Sequence, residues 1–585
     1  MKLPAQKPRP EKGVRGERQA EGLFPGAGPA VADALGNPGI FALLFSAVFL
    51  LHARLLRLPY FWDEAGYYIP AARDLLLRHQ WAPTSTLSSG HPPLVLAYLA
   101  AWWKLSGYTP PVTRTAMLLI SAFALLGVFR LARRAANTEV ALAATICTAL
   151  YPVFFTQSSM AHLDMAATAL TLWTLIMYLQ RRPYMAAMFA TLAALSKETA
   201  IITPLSLFLW ELVCPLLDRK VKSREGLCFH RHRSFYRSAI YLLPAIPLAA
   251  WFAYHYARTG YMFGNPEFFR YNVMSTLHPL RIAMAAVTRL WQLVGHMNLF
   301  VLTLSAALAL RYPALPQETL PEETPIGQKD LDGRDGDAWP HGHERPRIDL
   351  PIQLVFAAVI LGHLILFSAI GGAVLARYLL PVVPLVIILC VSTLRRRIPW
   401  WPAVIVIVCL GFAIGLVVNP PYGFAPEDNL AFADYVRLHK SAADFVEARH
   451  PNGRVLTAWP ASDELTRAYL GYVSRPVPVL RIENFSAGEI ISAARMNSGG
   501  GAPFEAALLF PTKYEAPPGL LMRFPWWERV QTRFFGYHRD LPPQVAANIL
   551  GGRIVFSAAR AGHWVAVVEI ERAQYAKNSA LSLLH

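Results

Sequence analysis

The stretch TRTAMLLISAFALLGVFRL, residues Thr113–Leu131, followed at once by Arg133 and Arg134, decides the fold class. At about 1.5 Å rise per residue it is long enough to cross a hydrocarbon core of about 30 Å. Comparable apolar blocks run near Ile40–Leu56, Val140–Phe155, Asp164–Leu179, Tyr184–Leu195, Thr199–Leu217, Ser238–Tyr256, Ile282–Leu310, Pro351–Ile370, Leu379–Leu394 and Pro399–Val418. Over the whole chain 54% of residues are hydrophobic and 16% charged, a balance that points to lipid as the solvent. The expected fold class is a polytopic α-helical membrane protein with about eleven spanning helices.

The net charge of +17 does not imply nucleic acid, because the Lys and Arg residues sit in short segments between apolar blocks. With the N-terminus inside, Arg133-Arg134, Arg181-Arg182, the stretch Arg219–Arg237 and Arg395–Arg397 all fall on the cytoplasmic side, as the positive-inside rule requires. Residues 1–38 read as a disordered basic cytoplasmic tail, and 39–418 as the membrane module. Within the module, Pro92–Leu105 is laid along the outer surface as an interfacial helix with Trp102, Trp103 and Tyr108, and 313–349 is a flexible cytoplasmic loop.

After Asn419-Pro420-Pro421-Tyr422-Gly423, residues 419–585 read as an extracytoplasmic soluble α/β domain. Its segments are an amphipathic run Glu427–Arg449, a strand Arg454–Ala458, a helix Asp463–Tyr469, a strand Ala506–Phe510, and a hairpin of Arg553–Ala559 and His563–Ile570 around Ala561-Gly562. The five cysteines show neither a disulfide framework nor metal-ligand spacing.

Four polar segments share the outer side. Asp63-Glu64, among aromatics, is either a base raised by like charge or a helix N-terminus complementing its dipole. Asp164, after Ser158-Ser159-Met160-Ala161-His162-Leu163, reads alone as an N-cap. Lys197 and Glu198 occupy a short turn, and Arg377-Tyr378 a later one; alone they are boundary markers or anchors. Together they present carboxylates and cations to one surface, which suits a reaction that removes a proton and stabilises a phosphate.

The order Asp63-Glu64, His91-Pro92-Pro93-Leu94, Asp164, Ser196-Lys197-Glu198 and Arg377-Tyr378-Leu379-Leu380-Pro381, with Thr259-Gly260 to Asn265-Pro266 more loosely, resembles the GT-C superfamily of membrane glycosyltransferases. The likeness covers roughly Ile40–Val418 and is to the protein O-mannosyltransferase and aminoarabinose transferase branch. It implies an inverting transfer of a sugar from a polyprenyl-phosphate donor to a hydroxyl of a protein, lipid or glycan acceptor, on the extracytoplasmic face of a bacterial inner (plasma) membrane. It makes Asp63 the general base, Glu64 its neighbour orienting acceptor or sugar, and Asp164 a shaper of the acceptor site. Lys197 and Arg377 would contact the carrier phosphate, with Tyr67 and Tyr378 lining the pocket. His91 stands where many relatives carry Lys, so its charge depends on pH and it is a secondary phosphate contact. No metal is required by the resemblance, although Asp63, Glu64, Asp164 and His162 offer ligands for a divalent ion if they converge. The rival reading is a transporter or flippase, which would place charge near the midplane of broken helices.

Overall fold

The computed structural model describes residues 28–221, 228, 238–266, 277–316, 345–370, 372–498, 504–512 and 524–571. Most of the expected tail and of the 313–349 loop lies outside the described residues. The end of that tail, however, is helical: α1 runs Gly28–His52, bent at Gly36, whose φ of 59° an L side chain would resist.

Among the described residues, four helices are apolar and long enough to cross a membrane by length and composition: Pro110–Ala135, Glu198–Asp218, Pro279–Ala309 and Leu350–Ala369. Six more are apolar but shorter, including α3 (Leu94–Ser106), a helix at the position of the expected interfacial one. The chain is an integral membrane protein. Between them α2 (Ile69–Arg78) follows a π-helical turn, Glu64–Tyr68. Helix α4 (Pro110–Ala135) starts on proline, whose missing N–H costs nothing in a first turn.

Two expected spans are broken, each for a local reason. Val140–Phe155 divides into α5 (Thr138–Leu150), capped by Asn137 accepting from the Val140 N–H at 3.0 Å, and α6 (Pro152–Gln157). Pro152 cannot donate to the preceding turn, and Tyr151 leaves the helical region at ψ 122°. After α7 (Leu163–Leu179), α8 (Pro183–Ser196), α9 (Ile202–Val221) and α10 (Ala245–Thr259), the long block Ile282–Leu310 divides into α11 (Pro279–Val294) and α12 (Leu299–Ala309). The joint is a turn over His296–Asn298, where Met297 and Asn298 take φ of 50° and 65°. Helices α13 (Leu350–Ala369), α14 (Val383–Arg397) and α15 (Trp401–Val417) complete this part. Cys214 and Cys228 form a disulfide with Cα atoms 5.7 Å apart, a pair the sequence spacing did not suggest.

The C-terminal part packs α16 (Ala431–Arg449), α17 (Ala461–Thr466), α18 (Ala487–Ser498), α19 (Pro525–Phe535) and α20 (Pro543–Leu550) with a five-stranded sheet. Its strands are β1 (Val455–Ala458), β2 (Val479–Ile482), β3 (Ala506–Leu509), β4 (Gly552–Arg560) and β5 (His563–Ile570), in the order β2-β1-β3-β5-β4. Strand β1 lies parallel to β2 and β3, and β3 antiparallel to β5. Ala561 and Gly562 turn the β4–β5 hairpin with φ of 47° and 82°, the sign such tight turns need. Sequence patterning did not suggest β2, because Pro478 precedes it and Arg481 interrupts its short apolar run.

Candidate active site

Arg114, fully buried in the first turns of α4, organises the loop that carries Asp63. Its guanidinium donates to the carbonyl oxygens of Leu58, Pro59 (2.8 Å) and Ser159 (3.1 Å), and lies 3.4 Å from Glu64 Oε2. The Glu64 carboxylate also accepts from the Phe61 N–H at 2.8 Å and the Ala161 N–H at 2.6 Å. A buried cation and a buried anion thus satisfy one another and pin three backbone segments. Glu64 therefore differs from the role the resemblance gave it: it faces the protein interior with its oxygens occupied, and it shapes the loop without reaching an open space.

Asp63 turns the other way, after Trp62 at a φ of 46°, and its Oδ2 pairs with Arg377 Nη2. Arg377 is the hub. Its Nη1 lies 2.9 Å from Glu427 Oε1 and its Nε 3.5 Å from Asp164 Oδ2, so acids from three separate segments surround one guanidinium. Burial works to lower the Arg377 pKa, but the Glu427, Asp63 and Asp164 carboxylates outweigh it and hold the cation well above its ordinary range. Lys197 Nζ donates to Asp164 Oδ1 at 2.6 Å and sits 3.9 Å from the centre of the Tyr378 ring. With three acids against two cations the cluster favours keeping one proton. Burial above all, with Asp63, Asp428 and Asp164 adding repulsion, pushes Glu427 up to about 8 against the pull of Arg377. Of the three carboxylates Asp63 is the open one, its side chain 20% exposed against 4% for Asp164 and 5% for Glu427.

Tyr68, not singled out by sequence, borders this cluster. Its hydroxyl pKa is raised well above the ordinary value by burial and then by the Asp63 carboxylate. With Tyr67, Trp81, Ser88, His91 and Trp251 it lines a narrow cleft beside the acids. His91 Nδ1 lies 2.6 Å from Glu198 Oε2, so His91 and Glu198 form a pair of their own at the cleft. Tyr67 turns to the ring of Trp459, 6.0 Å away, in the C-terminal part. That part touches the segment after Asp63 directly: Trp459 covers Gly66, and Arg467 donates to the carbonyls of Ala65 and Ser85.

Of the residues expected from sequence, Asp63, Asp164, Lys197, Arg377 and Tyr378 come together; His91 and Tyr67 line the adjoining cleft; Glu64 stands apart. Glu427 and its neighbour Asp428, 3.0 Å from His296 Nε2, were absorbed into an amphipathic run. The signal that finds them is symmetry, an acid pair directly after the last apolar helix as Asp63-Glu64 follows the first. The Arg377 turn is itself held by α11, where Arg289 donates to the carbonyls of Ala373 and Leu375, and Gln292 to that of Val374 at 2.8 Å.

Residues 90–251 match the dolichyl-phosphate-mannose-protein mannosyltransferase family. In structure the chain is similar to ArnT from Cupriavidus metallidurans bound to undecaprenyl phosphate, with a TM-score of 0.51 at 13% identity over 91% of this chain and 98% of that one. The fold is that of the GT-C glycosyltransferases. The apo ArnT structure gives the same result, with a TM-score of 0.50 at 13% identity over 92% and 98%. A looser likeness, with a TM-score of 0.40 at 12% identity over 80% of this chain and 67% of the other, is to the Archaeoglobus fulgidus oligosaccharyltransferase in complex with zinc and sulfate. No curated protein matches in sequence. Within this GT-C fold the acids and cations of the site arise from segments as far apart in sequence as Asp63 and Glu427.

Proposed function

We propose that this chain transfers a sugar from a polyprenyl-phosphate donor to a hydroxyl acceptor, with inversion, and that Asp63 is the general base. The observation that carries the reading is the convergence of Asp63, Asp164, Glu427, Lys197 and Arg377 beside a cleft, with Asp63 the exposed carboxylate. ArnT of the same fold binds undecaprenyl phosphate, which supports a polyprenyl-phosphate donor.

In the step itself the acceptor oxygen forms a bond to the anomeric carbon as the bond from that carbon to the phosphate oxygen breaks. The acceptor proton passes to Asp63, and the leaving phosphate takes the bonding electrons. Arg377 and Lys197 stabilise its charge, with His91 as a further contact. Arg377, Lys197 and the proton kept on Glu427 together balance the three acids of the site, so we assign no metal to the chemistry. Positive-inside bias supports an extracytoplasmic site with the C-terminal α/β part on that side, and the fold shared with ArnT from Cupriavidus metallidurans supports a bacterial plasma membrane. The acceptor class is a protein, lipid or glycan hydroxyl.

The test is incubation of the purified protein with labelled polyprenyl-phosphate sugars and cell-envelope fractions, wild type against Asp63→Asn. Transfer by wild type and its loss in the variant support the reading. Equal turnover removes Asp63 from its role, and uptake into sealed vesicles without transfer favours a transporter.

A further inference from the structure

Helix α19, Pro-Trp-Trp-Glu-Arg-Val-Gln-Thr-Arg-Phe-Phe, is rich in aromatics, yet none of its side chains is buried. At about 100° per residue, Trp526, Trp527, Val530 and Phe534 share one face, while Glu528 and Thr532 occupy the opposite one. Phe524, just ahead of the helix, is 46% exposed and Trp526 50%. Trp527, Val530 and Phe534 are half-buried, so protein covers only part of this face, whereas a helix of a water-soluble domain would turn it wholly onto its own core.

What covers the face is indicated by its neighbour. The Phe534 ring lies 4.9 Å from that of His278, the residue preceding α11, and α11 opens the candidate span Pro279–Ala309. Helix α19 is therefore level with the point where a membrane helix begins. On that helix Leu280, Val287 and Leu290 are exposed, the apolar outward face expected toward lipid, and it starts beside α19. Trp and Phe on one face with Arg529 and Arg533 at its border is the composition of a helix lying in the headgroup region.

We propose that α19 is an interfacial membrane-binding helix, inserting Trp526, Val530 and Phe534 among lipid headgroups and holding the C-terminal α/β part down on the bilayer beside α11. Arg529 and Arg533 fit anionic lipid phosphates.

The full chain, placed in nanodiscs with an environment-sensitive fluorescent amino acid at Trp526 or at Thr532, tests this. Lipids brominated on their acyl chains are expected to cause a loss of fluorescence at 526 and not at 532, and aqueous iodide the reverse. Quenching of both positions by iodide alone would leave the helix in water and overturn the proposal. Protection of 526 from both quenchers would mean that protein covers the face, a second copy included, and would overturn it equally. The Thr532 reporter leaves the aromatic face intact. With headgroup-nitroxide lipids it is expected to lose fluorescence, and no loss there overturns the proposal even if the 526 variant fails to accumulate.

Discussion

Asp63-Glu64, after the first apolar helix, and Glu427-Asp428, after the last, are near mirror images in chemistry and in use. In each pair one acid reaches Arg377 and the other is tied inward, Glu64 to Arg114 and Asp428 to His296. They differ in exposure and in proton. Asp63 is partly open to solvent, whereas Glu427 is enclosed and pushed up to about 8. Neighbouring carboxylates thus divide into one that joins the Arg377 cluster and one that anchors the chain, and the partner each finds decides which is which.

The widest break in that symmetry is expected at Glu64. Glu64→Ala leaves the buried Arg114 unpaired, a cost of about 3–5 kcal/mol, and thermal unfolding in detergent should show the loss. Adding Arg114→Met should restore part of it; an unchanged melting curve for the single variant would deny the anchor. Next comes Asp63→Asn, expected to cut transfer by roughly 10²–10⁴-fold while the melting curve holds. Asp428→Asn weakens the contact to His296 and should cost about 1–3 kcal/mol of stability with transfer retained, which separates it from Asp63.

The smallest effect belongs to Glu427→Gln, a close copy of the protonated acid. Wild-type Glu427 keeps its proton in the folded state up to about 8, while the unfolded chain releases it near 4.5. Its contribution is therefore complete below about 4.5 and is lost as pH rises through 8. The variant should flatten that slope in a pH series of unfolding midpoints, and an unaltered slope would place the proton elsewhere.

Much of this architecture is legible in the sequence because lipid imposes long apolar blocks, and Thr113–Leu131 is almost the helix that forms. What was not legible depends on single backbone residues. Pro152 ends a helix inside an apolar run, and Met297 and Asn298 bend another through positive φ, neither of which changes hydropathy. At the site, Asp63, Asp164, Lys197 and Arg377 were visible as charges at apolar-block ends. The separation of Glu64 from Asp63 was not, because it depends on which way each side chain leaves a π-helical turn. For the same reason Tyr68 borders the acids while Tyr67 faces Trp459.

Gly66 gives the contact between the two parts of the chain a consequence for sequence change. A Cβ there would come within 2.7 Å of Trp459 Nε1, closer than atoms tolerate. Position 66 accepts a methyl only if the indole at 459 gives way, although the two sites lie nearly four hundred residues apart in a single chain. A lineage that enlarges residue 66 must first shrink or displace residue 459, whereas a smaller residue at 459 leaves glycine at 66 free to stay.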